Sequence, residues 1–152
     1  AFRTVDLRKA AENAVLLLRL KLQQLGVKVE VLGDFVLPTI EGNPGQIQQV
    51  FLNLMMNAVQ AMAGGGMLSL RIGVEPGPQG EVVAVRIADT GSGIPASILP
   101  KIFDSFFTSR EDGTGLGLAI VKRIMRDHRG DIVVESTGAG GTTFRFWFPV
   151  GK

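Results

Sequence analysis

Glycine clusters divide this chain into segments whose apolar residues recur with two different periods. The 20 glycines stand between these segments and form no repeat, which excludes collagen-like and low-complexity chains. Periods of three and four residues predict helices, and periods of two predict strands. Because 152 residues with 45% hydrophobic side chains suffice for one core, we expect a single domain over residues 1–152.

The helical period predicts three helices, over residues 7–25, 44–62 and 116–127. Gly26 is placed to end the first helix, and Gly130 to close the third. Asn43 followed by Pro44 is the expected cap and first turn of the second helix.

The strand period predicts short strands within residues 27–31 and 35–40, a hairpin of 68–74 with 83–87, and a last hairpin of 131–136 with 142–149. Residues 90–113 are glycine-rich, then short-helical, then rich in phenylalanine. Helices with a largely antiparallel sheet predict an α+β fold in two packed layers.

Composition excludes several classes of function. Sixteen basic and 14 acidic residues give a net charge of +2, which does not indicate nucleic-acid binding. The absence of cysteine and the single histidine exclude disulfides and make a Cys/His metal centre implausible. No segment resembles a membrane span or a signal peptide, so we expect a cytoplasmic domain. Since the sequence starts without Met in a helical pattern, we expect a fragment of a longer protein.

The second helix carries an uncharged polar seam, which we call the amide seam: Gln46, Gln49, Asn53, Asn57 and Gln60. These five side chains fall within a stripe roughly 80° wide at about 100° per residue. A solvated helix edge is the alternative interpretation, but such edges usually carry Lys and Glu, and no charge occurs between Glu41 and Arg71. Amide oxygens can bind a hard cation such as Mg²⁺, and Asn57 is the best-placed candidate.

Asp89 ends an alternating strand, and Gly91 and Gly93 follow it directly. A carboxylate there can accept a hydrogen bond from the exocyclic amine of adenine, while the glycines let the ring approach the backbone. An ordinary turn is the alternative, and it is the better interpretation if this segment is considered alone.

The sequence GTGLGL, residues 113–118, opens the third helix. Flexible glycines and unpaired amides at a helix N-terminus form a phosphate site. No Lys-Ser or Lys-Thr follows, and the third glycine comes one position early for GxGxxG, so neither a P-loop nor a dinucleotide motif is predicted.

Taken in order, NLMMNA (53–58), DTGSGIP (89–95), IFDSFFTS (102–109) and GTGLGL (113–118) closely resemble the N, G1, F and G2 boxes of histidine kinase catalytic domains. The resemblance covers nearly the whole chain and is nearest to nitrogen-regulation-type sensor kinases. It implies the Bergerat-type fold shared with gyrase, Hsp90 and MutL proteins, in which a mixed sheet faces three helices. ATP would lie beside a mobile lid.

The resemblance also implies roles for individual residues. Asn57 is similar to the Mg²⁺-chelating asparagine, Asn53 to its supporting neighbour, and Asp89 to the adenine-binding aspartate. Further ATP contacts are implied for Gly91, Gly93, Ile94, Gly113, Thr114, Gly115, Leu116, Gly117, Leu118 and Thr142, of which Thr142 resembles the threonine that shares a water with the aspartate and adenine.

The predicted lid, residues 108–114, is short, which suggests few phosphate contacts. By resemblance, Phe103, Phe106 and Phe107 would anchor the lid. Arg110 would contact the γ-phosphate, and the alternative for Arg110 is a solvated side chain. Many relatives carry Lys where this chain has Gln60, which puts one phosphate contact in doubt.

No His-Glu-type phosphoacceptor motif exists in this sequence, and His128 matches the end of the last helix instead. We therefore expect a chain that binds Mg-ATP without phosphorylating itself and that is monomeric in isolation. The implied partners are an upstream dimerisation and histidine-phosphotransfer domain and, through it, a response regulator. No nucleic acid and no direct membrane contact are expected, while membrane anchoring of the parent protein is left open.

Three alternatives remain at this point. A gyrase or Hsp90-type ATPase needs a glutamate base where this chain has Asn53. A serine kinase that inhibits a sigma factor is similar in length but is disfavoured by the double phenylalanine of the F box. A scaffold without nucleotide is disfavoured by the intact Asn57, Asp89 and glycine boxes.

Overall fold

Three helices cover one face of a five-stranded sheet in the computed structural model, which describes residues 1–34, 36–105 and 117–151. The helices are α1 (Leu7–Gln24), α2 (Pro44–Gln60) and α3 (Gly117–Asp127), with a short 3-10 helix at Leu99–Lys101. The strands are β1 (Arg3–Val5), β2 (Val27–Gly33), β3 (Ile40–Gly42), β4 (Gly66–Gly77), β5 (Gly80–Ala88), β6 (Asp131–Gly138) and β7 (Gly141–Pro149).

The main sheet has the order β2-β4-β5-β7-β6. Strand β2 runs parallel to β4, and the other neighbours are antiparallel. The predicted mixed sheet and both predicted hairpins are therefore confirmed.

Strands β1 and β3 form a separate antiparallel pair that the sequence patterns did not predict correctly. Three residues are too few for β1 to show an alternating period. The strand expected within residues 35–40 is wrong for 36–39, since only Ile40 belongs to β3. Pro38 has no N–H to donate to a strand partner, which disfavours a strand at that position.

Side-chain caps fix where α1 and α2 begin. Asp6 Oδ1 accepts the backbone N–H groups of Arg8 (3.0 Å) and Lys9 (3.2 Å). Asn43 Oδ1 accepts the N–H of Gln46 at 3.0 Å, and Pro44 occupies the first turn, as predicted.

The core lies between the helices and the inward face of the sheet. Strands β4 and β7 alternate in burial as expected, whereas residues 82–85 of β5 are all buried. The inward side chains of the three strands are fully or almost fully buried: Leu68, Leu70, Ile72, Val83, Val85, Ile87, Phe144, Phe146 and Phe148. Phe51 of α2 meets Phe146 edge-on, with 5.4 Å between the ring centroids. Helix α2 thereby becomes the central helix against which α1 and α3 both pack.

The outward face of the sheet carries a charged network. Arg86 pairs with Glu75 and Glu135, and Arg145 donates to Glu75 at 2.8 Å while its guanidinium lies 4.7 Å from the Trp147 ring centroid. The hydrogen bond from Arg86 outweighs burial and lowers the pKa of Glu75. Both carboxylates of this network, Glu75 and Glu135, thus pair with a cation.

Helix α3 ends in a left-handed cap. Arg129 has φ +63°, its N–H donates to Arg126 O at 3.0 Å, and the Gly130 N–H donates to Met125 O at 2.9 Å. The left-handed position predicted for Gly130 therefore belongs to Arg129. Gly130 follows it and is required for a steric reason, because a Cβ there would lie 1.8 Å from Trp147 O.

Within the described residues, no helix has both the length and the apolar character that crossing a bilayer requires.

Candidate functional site

The amide seam on α2 runs from the start of α3 to the loop that follows β5. Asn53 donates from Nδ2 to Gly117 O, the first residue of α3, at 3.2 Å. Two turns later, Ala61 O accepts the N–H of Ser92 at 3.2 Å. Asn57 is half-buried and lies midway along α2 between these two contacts. The second helix therefore connects two of the predicted glycine boxes, with Asn57 between them.

The amide seam is not uniformly exposed. Gln49 and Gln60 are exposed, whereas Gln46, Asn53 and Asn57 are half-buried. The interpretation as a solvated helix edge thus applies to Gln49 and Gln60 and fails for the two asparagines.

Asp89 lies directly after β5 and is only 8% exposed. Its Oδ1 accepts the backbone N–H of Gly91 at 2.9 Å and that of Thr142 at 3.2 Å. Its own N–H donates to Thr142 O at 2.9 Å. A carboxylate held by two backbone donors is fixed in orientation.

The loop after Asp89 is wedged between α2 and the β6–β7 turn. A Cβ on Gly91 would lie 2.3 Å from Ala61 O, and one on Gly93, where φ is +81°, would lie 2.2 Å from Gly138 O. Both glycines are therefore required by close backbone contacts, in addition to any role beneath a ligand.

Two threonine hydroxyls join this loop to the last hairpin. Thr142 is 4% exposed, and its Oγ1 lies 2.8 Å from Thr137 Oγ1. Thr137 Oγ1 also accepts the N–H of Ile94 at 2.7 Å. Asp89, Ile94 and Thr142, all predicted site residues, are thus brought together by one hydrogen-bonded cluster.

Thr137 was not identified from the sequence. The sequence placed Thr137 in the turn of the predicted hairpin, whereas in the structure it is the register partner of Thr142. The glycine turn between them gave no indication that the residue before the turn would reach the Asp89 loop.

Of the predicted phosphate-binding segment, the structure describes Gly117 and Leu118. Gly117 begins α3, and Leu118 is half-buried against the core. Phe106, Phe107, Arg110, Gly113, Thr114, Gly115, Leu116 and the predicted lid at 108–114 lie outside the described residues.

Phe103, predicted to anchor the lid, packs as a core residue. Its ring meets Phe144 edge-on at 6.2 Å between centroids, and Lys122 Nζ lies 4.9 Å from its centroid. Lys122 also donates to Ile132 O at 2.9 Å and pairs with Asp131 at 2.8 Å. Burial raises the pKa of the Asp131 carboxyl, but the hydrogen bonds from Lys122 and the Ile132 N–H outweigh it, so that pKa lies below its usual value.

His128 links the end of α3 to the start of α2, in agreement with its predicted structural role. The residue is 3% exposed, its Nε2 accepts the Asn43 N–H at 3.0 Å, and its Nδ1 lies 2.8 Å from Ile124 O. Because Nε2 is an acceptor, Nδ1 carries the proton of the neutral ring and donates it. Phe2 stacks on the same ring with 4.5 Å between centroids.

Residues 42–152 match the protein-family model described as histidine kinase-, DNA gyrase B- and HSP90-like ATPase. Over 150 residues the chain is 35% identical to the sensor histidine kinase ZraS of Escherichia coli K12. The aligned region covers 99% of this chain and 31% of ZraS. Over 126 residues it is 43% identical to the sensory histidine kinase/phosphatase NtrB of Rhodobacter capsulatus, covering 77% of this chain and 35% of NtrB. The chain spans about a third of the length of these relatives.

Among solved structures, the catalytic domain of the histidine kinase ThkA is similar over 99% of this chain and 97% of its own, with a TM-score of 0.86 and 29% identity. The shared architecture confirms the predicted α+β sandwich of a mixed sheet and three helices.

Proposed function

Because this chain belongs to the family of histidine kinase-, DNA gyrase B- and HSP90-like ATPases and has the fold of a histidine kinase catalytic domain, we propose that it binds Mg-ATP and donates the γ-phosphoryl group to a histidine on a separate dimerisation domain. The observation that supports this most directly is the path of the amide seam. It leads from Gly117 past Asn57 to the loop of Gly91 and Ser92.

Asp89 and its hydrogen-bonded neighbours would hold the base. The carboxylate is oriented by two backbone N–H groups and would accept the exocyclic amine of adenine, with Thr142 beside it. Gly91, Gly93 and Ile94 would form the wall of the base pocket, since contacts to α2 and to the β6–β7 turn fix their backbone.

The start of α3 would hold the phosphates. An 11-residue helix presents backbone N–H groups and the positive end of its dipole at Gly117 and Leu118, which favours an anion there. We assign Gly113, Thr114, Gly115, Leu116 and Arg110 to the same contact surface on the resemblance alone.

The donor set near Asn57 fits Mg²⁺. Among the described residues no three His, Cys, Asp or Glu side chains are grouped to hold a metal, so the protein would contribute amide oxygen rather than a carboxylate cage. Mg²⁺ in nucleotide sites takes few protein ligands and several phosphate and water oxygens. Asn57 would hold the ion and Asn53 would fix the adjoining backbone of α3; when bound, the ion would neutralise charge on the phosphates.

Asn53 argues against hydrolysis by this chain. It occupies the position where a gyrase or Hsp90-type ATPase needs its glutamate base, and its amide donates to Gly117 O. An uncharged amide cannot take a proton from water at neutral pH. We therefore favour transfer to a histidine over hydrolysis.

The chain's partners would lie in the rest of its protein. We propose an upstream dimerisation and histidine-phosphotransfer domain, and a response regulator that acts through it. We also propose that the domain is cytoplasmic and monomeric when isolated, that it contacts neither nucleic acid nor membrane, and that anchoring, where present, belongs to the parent protein.

Isothermal calorimetry with Mg-ADP tests the binding step on the wild type and on Asp89→Asn. We expect the wild type to bind and Asp89→Asn to bind at least about tenfold more weakly, because the amide offers an N–H where the base needs an acceptor. Equal affinities in the two proteins would refute the proposed role of Asp89.

Incubation with γ-labelled ATP tests the transfer step. We expect no label on the chain alone, since the acceptor would lie elsewhere. Label on the isolated chain would contradict the expectation that it does not phosphorylate itself.

A further inference from the structure

Thr137 occupies a position in the hydrogen-bonded cluster that the resemblance does not assign. Its hydroxyl lies between the loop of the predicted base pocket, through Ile94, and the buried Thr142. Thr142 is in turn bonded to Asp89 through both its backbone N–H and its backbone carbonyl. Thr137 is therefore the side chain that closes the ring between the Asp89 loop and the last hairpin.

A hydroxyl has one proton and two lone pairs, and either hydroxyl of the Thr137–Thr142 pair can donate to the other. The Ile94 N–H uses one lone pair of Thr137 at 2.7 Å. When Thr137 gives its own proton to Thr142 Oγ1 at 2.8 Å, the Thr142 proton is left to point away from the pair. Successive hydrogen bonds of this kind polarise one another, so the backbone donor at Ile94 strengthens Thr142 as a donor.

We propose that Thr137 is a positioning residue that sets the Thr142 hydroxyl as a hydrogen-bond donor and thereby favours adenine over guanine nucleotides. The inference rests on the proposed function, because it places a purine beside Asp89. Adenine presents an amine donor next to a ring acceptor, whereas guanine presents a carbonyl acceptor next to a ring N–H. Asp89 as acceptor and Thr142 as donor, directly or through a water, match the adenine pattern and oppose the guanine pattern.

Close packing makes this arrangement specific. Gly141 has φ +126°, and a Cβ there would lie 1.9 Å from Asp89 O, while Gly93 lies against Gly138. The hairpin end that carries Thr137 and Thr142 is thus pressed against the Asp89 loop. A site whose polar groups are fixed by their surroundings discriminates strongly against a ligand with the opposite hydrogen-bond pattern.

The test compares Thr137→Val, Thr137→Ser and the control Thr143→Val by calorimetry with Mg-ADP and with Mg-GDP. Valine keeps the shape and removes the hydroxyl, serine restores it, and Thr143 lies next to Thr142 on the opposite face of β7. We expect Thr137→Val to lose about tenfold in ADP affinity while GDP affinity stays the same or rises, so that the ADP preference falls. Thr137→Ser and Thr143→Val should keep the wild-type preference.

The outcomes separate this inference from the proposed function. A wild type that binds ADP, together with a Thr137→Val variant of unchanged preference, overturns the role of Thr137 and leaves the proposed function standing. A Thr137→Val variant that loses affinity for both nucleotides by the same factor shows a purely structural role and also overturns it. A wild type without ADP binding overturns both proposals. Thermal melts monitor folding, and if Thr137→Val does not fold, Thr137→Ala removes the same hydroxyl and carries the same expectation.

Discussion

Arg129 occupies a backbone conformation that suits glycine better than arginine. Its φ of +63° places it in the left-handed region, where a Cβ costs roughly 1–2 kcal/mol. The neighbouring Gly130 has a different requirement, because its missing Cβ leaves room for Trp147 O. The end of α3 thus contains a strained residue and an irreplaceable glycine side by side.

We expect Arg129→Gly to stabilise the chain by about 0.5–1 kcal/mol, since relief of strain exceeds the added entropy of the unfolded chain. For a domain of this size the melting temperature should rise by roughly 1–4 °C, measured by calorimetry. Gly130→Ala is the matched control and should lower it clearly. A lower melting temperature for Arg129→Gly would contradict the argument from strain.

Asn57 is the residue on which the predicted metal dependence rests. We expect Asn57→Ala to lose most of the gain in ADP affinity that Mg²⁺ gives the wild type, with a loss of roughly 10–100-fold measured in Mg²⁺, because an ion-bound amide is removed. In EDTA the variant and the wild type should bind alike. Gln60→Ala, at the exposed end of the amide seam, serves as control, and an unchanged Mg²⁺ effect in Asn57→Ala would count against the assignment.

At the scale of elements, most of the fold was predictable from the sequence, and the failures have physical causes. Long periodic segments gave α1, α2 and both hairpins, and Asn43 with Pro44 gave the start of α2. Strands β1 and β3 were missed or misplaced because each has three residues and is defined by its partner rather than by its own period.

Some residues of the candidate site could likewise be predicted from the sequence, and others could not. Asn53, Asn57 and Asp89 were predictable because their residue types are unusual where they stand, on an uncharged helix seam and at a strand end. Thr137 was not, because its role depends on how the β6–β7 turn packs against the loop after β5. Contacts between loops that are distant in sequence leave no periodic pattern.

The loop after β5 offers a test of this packing. Gly91→Ala would force a Cβ to within 2.3 Å of Ala61 O, so we expect the loop to shift and ADP affinity to fall at least about tenfold, with a lower melting temperature. Gly140→Ala is the control, since nothing lies within 4 Å of the Cβ position there. Titration calorimetry and thermal melts of both variants measure the difference, and wild-type affinity in Gly91→Ala would exclude a role for this contact in binding.

At the scale of the whole molecule, acid sensitivity should come from a few carboxylates. The pKa values of Glu75, beside Arg86, and of Asp131, beside Lys122, are lowered in the folded chain. A lowered folded-state pKa contributes stability that is complete above the unfolded-state pKa and is lost as the pH falls through the folded-state pKa.

We therefore expect the melting temperature to decline as the pH falls below about 4.5, the ordinary range of carboxyl groups, and to decline less steeply in Glu75→Gln. Both partners are partly exposed, so solvent screening keeps the contribution of each pair small. Thermal melts from pH 7 to pH 3 measure it, with the exposed Glu81→Gln as control. Identical pH profiles for Glu75→Gln and the wild type would show that this pair contributes nothing.

The pairing of β5 with β7 also determines the order in which the molecule can assemble. Hairpins β4–β5 and β6–β7 are local, but Ile87 pairs with Phe144 across 57 residues, and that pairing draws Thr142 to Asp89. Contacts between residues so far apart in sequence form slowly, because closing the intervening segment costs conformational entropy before the contact contributes any stabilisation. We therefore expect the proposed base pocket to be among the last parts of the molecule to form during folding. A bound nucleotide would stabilise the pairing of β5 with β7, and slower hydrogen exchange of the backbone amides in these two strands would measure that effect.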